Sequence, residues 1–292
     1  MDETPTTRLE EDLLLLRAPN PSPLTAEGTN TYILGRGAAV VIDPGPEDAR
    51  HHAALRAALA GRDVAAILVT HSHRDHSPLA RALAAETGAP VHGFGPTGAG
   101  TSAIMAALEG DLGGGEGADA AFVPDVTLAQ GETVRLGEET LTALHTPGHF
   151  GNHLCFAWRG ALFSGDHVMG WASTLVSPPD GDLTDFMASC ALLAAREDRV
   201  YYPGHGAPVT DPAARLAWLV DHRKAREAQI LAALGAVPRS AMEITRAVYT
   251  DVAETLWPAA ARNVLAHLID LTARGLAAPD GALSDRSRFT RA

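Results

Sequence analysis

Thr70-His71-Ser72-His73-Arg74-Asp75-His76-Ser77 places three histidines and an aspartate within six residues. It follows Val64-Ala65-Ala66-Ile67-Leu68-Val69, a continuous apolar run that reads as a buried strand. Pro78 to Ala85, just beyond, can begin a helix. The cluster therefore sits on the loop where a strand ends. Neutral imidazole nitrogen and carboxylate oxygen are good ligands for Zn²⁺, and a loop held between two rigid elements presents them together. The bland reading is a polar loop whose histidines merely contact water. Four ligand-type side chains this close argue against it.

Three more residues of the same kind occupy equivalent places. His149 lies in Thr146-Pro147-Gly148-His149, Asp166 in Ser164-Gly165-Asp166, and His205 in Pro203-Gly204-His205-Gly206. Each follows a short apolar run, Leu141 to Leu144, Ala161 to Phe163 and Val200 to Tyr202 respectively. Each is also preceded by a glycine, which lets the backbone turn sharply and aim the side chain.

With this order, HxHxDH and then H, D and H, the sequence resembles the metallo-β-lactamase superfamily from about Leu13 to Gly206. The resemblance implies an αββα sandwich, and it assigns His71, His73 and His149 to one metal, Asp75, His76 and His205 to a second, and Asp166 to a bridge. Two Zn²⁺ ions roughly 3.5–4 Å apart can share a water and bring its pKa toward about 7. The implied enzyme is thus a dinuclear zinc hydrolase acting through a metal-bound hydroxide, with Asp75 as a ligand that also orients it. Iron or manganese would suit the same ligands. His153, four residues after His149, and His167, directly after Asp166, are candidates to hydrogen-bond a ligand from outside and fix its orientation. His92 and His145, on strands, read as structural, and His51 and His52 as solvated helix residues.

The 292 residues, 46% hydrophobic, suffice for a substantial core and more than one domain. Cys155 and Cys190, the only cysteines, stand in apolar contexts and read as two buried free thiols. Met1 to Asp12 is acidic and unlike a signal peptide, and no run approaches the roughly 18 apolar residues of a membrane span, so a cytoplasmic protein with no membrane partner is expected. The net charge is −12, while residues 221–292 carry ten basic against eight acidic side chains. An acidic catalytic part does not attract nucleic acid at long range.

Leu13 to Arg17 reads as the first strand, Thr29 to Leu34 and Ala38 to Asp43 as a hairpin, and Glu47 to Ala60 as a helix closed by Gly61. Further strands are expected over Pro90–Phe94, Glu132–Leu136, Glu139–Leu144, His153–Trp158 and Ala161–Ser164, with helices over 101–108 and 182–196. Gly110 to Gly117 is glycine-rich and reads as a mobile loop. Two successive blocks of strands and helices fit two packed sheets with helices outside, and the loop from Trp171 to Asp182 can line a pocket beside Asp166.

Residues 1–210 form the expected catalytic domain, and 211–292 a long linking helix and a small, mostly α, winged-helix domain. Asp211-Pro212 starts the long helix, Gly235 closes it, Ser240-Ala241-Met242-Glu243 is a capping box, and Pro258 to Arg274 is the last helix. Asp280-Gly281 marks a tight turn in a terminal hairpin. The appendage, with Asn20-Pro21-Ser22-Pro23, Gly28 to Tyr32 and Asp43-Pro44-Gly45, is similar to the β-lactamase-like protein 2 branch of the superfamily. A small ester, thioester or lactone is the expected substrate. Single-strand RNA cleavage, which the branch includes, is the alternative, and a winged-helix DNA-binding regulator with a metal site is a third reading. The oligomeric state is not legible.

Overall fold

The computed structural model describes residues 6–108, 110–113 and 117–292. Seven strands make one sheet in sequence order: β1 (Thr6–Glu10), β2 (Leu13–Arg17), β3 (Asn30–Leu34), β4 (Ala39–Ile42), β5 (Val64–Leu68), β6 (Val91–Gly93) and β7 (Val126–Thr127). Five make the second, β8 (Thr133–Leu136), β9 (Glu139–His145), β10 (Leu154–Trp158), β11 (Ala161–Gly165) and β12 (Val200–Pro203), in the order β12-β11-β10-β9-β8.

Side-chain alternation builds the layers. In β4, Val40 and Ile42 face the opposite sheet and meet Leu141, Leu154, Phe156 and Phe163, while Ala39 and Val41 face outward. That outer face is covered by α1 (Ala49–Leu59) and α2 (Leu79–Thr87) through Leu55, Leu59, Leu79 and Leu83. A short α3 (Ala103–Ala107) follows β6. On the second sheet, Cys155 and Leu162 turn outward to α4 (Leu183–Ala194) and α5 (Pro212–Ala233), which contribute Phe186, Cys190, Leu216 and Leu219. The result is the expected αββα sandwich.

Beyond it, α6 (Ala241–Val248), α7 (Trp257–Ala273) and the strands β13 (Arg239–Ser240), β14 (Ala277–Pro279) and β15 (Arg288–Arg291) form the winged helix. Its start is the expected capping box: Ser240 Oγ accepts from Glu243 N at 3.2 Å and Glu243 Oε2 accepts from Ser240 N at 2.7 Å. The two parts share apolar contacts. Met105 and Leu112 pack into the winged-helix core with Val264 and Phe289, and Ala266 of α7 packs with Phe186 and Leu219.

Several expectations are corrected. The acidic start contains β1, an edge strand whose solvated face leaves no apolar alternation to read. His51 is fully buried, because α1 aims His51, Leu55 and Leu59 at the sheet on one stripe, and its Nε2 lies 2.8 Å from Thr31 Oγ1. His52 is partly exposed and faces Glu86 at 3.2 Å. Gly235 does not close α5 in a left-handed turn; Leu234 is extended (ψ 137°), which carries its buried side chain into the winged-helix core. Asp280 is the base of the hairpin loop and not its tip, its carboxylate accepting from Arg288 N at 3.0 Å. Of the loop expected over Gly110 to Gly117, residues 114–116 lie outside the described residues. Both cysteines are buried and free.

Buried neutral histidines set an acid limit on this fold. Burial holds His51 down at about 4 and His267 at about 3, below the roughly 6.5 of an unfolded chain. Between those values the unfolded chain binds the additional proton. Stability therefore rises with pH across this window and is lost as pH falls below about 6.5, with a slope approaching about 1.4 kcal/mol per pH unit for each group. Neither ring nitrogen of His267 has a hydrogen-bond partner among the described residues. His267→Leu should flatten the dependence of unfolding free energy on pH between about 6.5 and 5, measured by urea denaturation beside the parent. An unchanged slope would show that His267 takes up its proton in the folded state.

Candidate metal centre

All seven ligand candidates converge at one edge of the sandwich, on the loops that leave β5, β9, β11 and β12. They form two groups, His71, His73, His149 and Asp166, and Asp75, His76 and His205, each with donor atoms within 4.8 Å of one another. His73 Nδ1 stands 2.9 Å from His71 Nε2 and 3.1 Å from His149 Nε2. Asp166 Oδ2 faces both groups, 3.7 Å from His149 Nε2 and 3.2 Å from His205 Nε2. Asp75 Oδ2 lies 3.4 Å from His76 Nε2 and 3.2 Å from His205 Nε2.

The outer hydrogen bonds decide which nitrogen points inward. His149 Nδ1 donates to Leu175 O at 2.7 Å, and His205 Nδ1 to Gly28 O at 3.3 Å; a carbonyl can only accept, so Nε2 of each is the nitrogen left to face inward. His76 Nδ1 donates to Asp43 Oδ2 at 2.8 Å. The same oxygen accepts the Thr70 hydroxyl at 2.8 Å, which leaves Thr70 Oγ1 to accept from His71 Nδ1 at 3.0 Å. Asp43 also accepts from Thr70 N at 2.7 Å, so this one buried carboxylate holds the start of the loop and two of its imidazoles. The sequence marks Asp43-Pro44-Gly45 as a turn but gives Asp43 no place in the site. An acid at a strand end ahead of Pro-Gly is the available signal.

The preceding glycines matter for two different reasons. Gly148 has φ 131°, and a Cβ there would meet Phe186 Cα at 2.3 Å. Gly204 is needed for space, since a Cβ would lie 2.3 Å from Asp166 Oδ1 and 2.7 Å from His76 Cε1. The His205 turn is tied down from the Gly28–Tyr32 segment: Asn30 Nδ2 donates to Pro203 O and Gly206 O, each at 2.9 Å, and Tyr32 OH donates to Pro203 O at 2.7 Å. Thr29 adds a direct contact, its hydroxyl donating to Asp75 Oδ2 at 3.0 Å. Thr29 and Asn30 were missed as site residues because neither is a ligand type.

His153 reaches a ligand through its backbone: its Nε2 accepts from Asp166 N at 3.2 Å while Nδ1 sits 2.9 Å from Thr146 Oγ1. His167 touches none of the seven. Its ring packs against Phe186 with centroids 4.5 Å apart, and its Nε2 is 3.6 Å from Cys190 Sγ. The chain direction after Asp166 turns this side chain into the helix layer. His145 stacks on Phe94 and bonds Gly151 O, a structural role as expected.

The electrostatics suit cations. Burial and neighbouring imidazoles keep His71 well below the usual histidine range, and burial takes His73 to about 3, so both are neutral donors. Burial alone would raise Asp166, but His205 and His76 hold it well below the usual carboxylate range. Burial likewise opposes a proton on His205, yet Asp166 and Asp75 raise it to about 9. The carboxylates thus demand positive charge, a field that draws protons onto His205 and His76 and suits a cation equally. His76 Nε2 and Asp166 Oδ1, buried and 3.5 Å apart, have no hydrogen-bond partner among the described residues, a costly arrangement that a shared cation relieves. The donor set of imidazoles and carboxylates fits divalent transition metals.

A family profile described as "Metallo-beta-lactamase superfamily" matches residues 24–205, and one described as "Beta-lactamase associated winged helix domain" matches residues 240–286. The "Beta-lactamase-like protein 2 homolog" of Drosophila melanogaster is 32% identical over 281 residues, 92% of this chain and 90% of that protein. The "Atrochrysone carboxyl ACP thioesterase" of Aspergillus fumigatus is 32% identical over 229 residues, 75% of this chain and 64% of that protein. Among solved structures, a metallo-beta-lactamase family protein of Thermus thermophilus superposes with a TM-score of 0.78 at 28% identity, over 98% of this chain and 100% of that one. The fold, the converging ligand set and the appended winged helix agree with these matches: the chain belongs to the metallo-β-lactamase superfamily, in its β-lactamase-like protein 2 branch.

Proposed function

We propose that this metal-dependent hydrolase holds two divalent ions, zinc by preference, and cleaves a small acyl thioester, ester or lactone. His71, His73 and His149 would hold one ion, Asp75, His76 and His205 the other, and Asp166 would serve both. A pair of such ions supplies a nucleophile from water at neutral pH and polarises the carbonyl under attack. Asp75, partly exposed on the cleft and fixed by Thr29, His76 and His205, is placed to orient the attacking water and carry its proton. Asp43 and Leu175 O hold the imidazoles in the tautomers that face inward.

The cleft carries this reading. Its volume of about 730 Å³ extends from His73, Asp75, His149, Asp166 and His205 along a wall of Leu24, Met169, Trp171, Leu175 and Pro258. Such a space accepts an apolar acyl group beside the metals. Arg262 is the one cation among its described lining residues, and its guanidinium is held by Ser177 Oγ, Leu112 O and Gly113 O. Asp180 and Asp285 line the same wall. A polynucleotide backbone, which needs several cations, is poorly matched to it. The Aspergillus relatives named as thioesterases support an acyl thioester further.

The winged helix is best read as the far wall of this cleft. One face of α7 is buried, with Ala260, Val264 to Ile269 and Leu271 covered. Its Arg274 pairs with Glu227 and with Asp270 at 2.7 Å, which leaves little for a DNA groove. The proposed boundary between residues 210 and 211 therefore separates two functional parts of one cleft. No helix among the described residues is long and apolar enough to cross a membrane.

Two measurements test the proposal. Elemental analysis of the purified protein should find two transition-metal ions per chain, falling well below that in Asp166→Ala; equal loading of the variant would remove Asp166 from the ligand set. Acyl thioesters, lactones and a single-stranded RNA oligomer assayed side by side should give turnover on the acyl substrates, with kcat lowered by about 10²-fold or more in Asp75→Asn. Cleavage of RNA alone, lost in that variant, would instead assign a ribonuclease.

A further inference from the structure

Arg223 of α5 is 3% exposed, and no carboxylate among the described residues pairs with it. Burial pulls it down only to about 10, so it stays charged at neutral pH. A buried cation is costly unless its donors are satisfied. Here the fork of the guanidinium meets Thr174 O with one nitrogen and Asn263 Oδ1, at 3.0 Å, with the other, Nε has no hydrogen-bond partner among the described residues, and the group lies over the Phe186 ring, 5.0 Å from its centroid. The Asn263 oxygen, from α7, also accepts Val176 N at 3.0 Å.

Thr174, Leu175 and Val176 are thereby clamped from the C-terminal helices on one side. On the other side two of them, Thr174 and Leu175, hold residues of the candidate metal centre. Leu175 O accepts His149 Nδ1 at 2.7 Å, and Thr174 Oγ1 donates to Asp166 O at 2.7 Å. Phe186, under the guanidinium, also backs Gly148 next to His149. The second group of ligands is held differently: His76 by Asp43, and His205 with Asp75 by Gly28 and Thr29.

We propose that Arg223 and Asn263 are positioning residues for His149, so that the long helix and the winged helix bear on the affinity of the first metal position more than on that of the second. This rests on the two-ion reading above. Partners one step outside a metal ligand typically change its affinity by about 10–100-fold when removed.

The test uses the full chain loaded with cadmium-113 and observed by NMR during titration. The parent should give two resonances, and His149→Ala should mark the first position by the resonance it loses. Asn263→Ala, one step further out than such partners, should weaken cadmium binding at that position by up to about tenfold, and by more than it weakens the second. Asn263→Asp, which keeps an acceptor for both Val176 N and Arg223, should restore it. Arg223→Lys, which keeps the charge but gives up the fork, is the second variant and should shift the same resonance. Two resonances unaffected by Asn263→Ala and Arg223→Lys, or weakened equally, would overturn this inference alone. A parent chain that binds no cadmium would overturn the two-ion reading and this inference with it.

Discussion

A neutral imidazole offers its lone pair to a metal only while its other nitrogen gives a proton to something else. Four of the five histidines at this centre have that outward acceptor in view: Asp43 for His76, Thr70 for His71, Leu175 O for His149 and Gly28 O for His205. Each acceptor sits on a different segment, and each segment is fixed by its own packing. Asp43 follows β4 and is inaccessible, with Thr70 bonded to both of its oxygens. The sandwich is thus the means by which separate strand ends bring acceptors to the outside of the site as well as donors to its inside.

The convergence of the seven candidate ligands is legible because each joins a ligand-type side chain to the end of an apolar run. His71, His73, Asp75, His76, His149, Asp166 and His205 all arrive at the expected edge. The strands were legible for the same reason, through runs such as Val64 to Leu68 and Ala161 to Phe163. What could not be read was the supporting layer. Leu175 acts through a carbonyl that every residue possesses, and Asn30 and Thr29 are ordinary polar residues until Pro203 and Asp75 come beside them. His51 and His167 failed for the converse reason. A histidine says nothing about the face on which it lands, and one took the core stripe of α1 while the other turned toward Cys190.

The winged helix illustrates how little a motif says about use. Its capping box and terminal hairpin were legible, yet its role depends on what α7 touches. Ala266 meets Phe186 and Leu219, Arg262 meets the loop at Leu112 and Gly113, and Pro258 lines the cleft. A helix engaged on these sides is part of the wall of the cleft that holds the candidate metal centre.

The shared packing at Phe186 and Ala266 also orders events during synthesis. A chain leaving the ribosome exposes His205, the last of the seven candidate ligands, well before Trp257 begins α7. All seven are then outside while the apolar surface around Phe186 and Leu219 still lacks its cover. Domains ordinarily fold as units, the N-terminal one first. Here the earlier unit is completed by residues made later, so the apolar surface at Phe186 and Leu219 is fully covered only once Ala266 of α7 has been made.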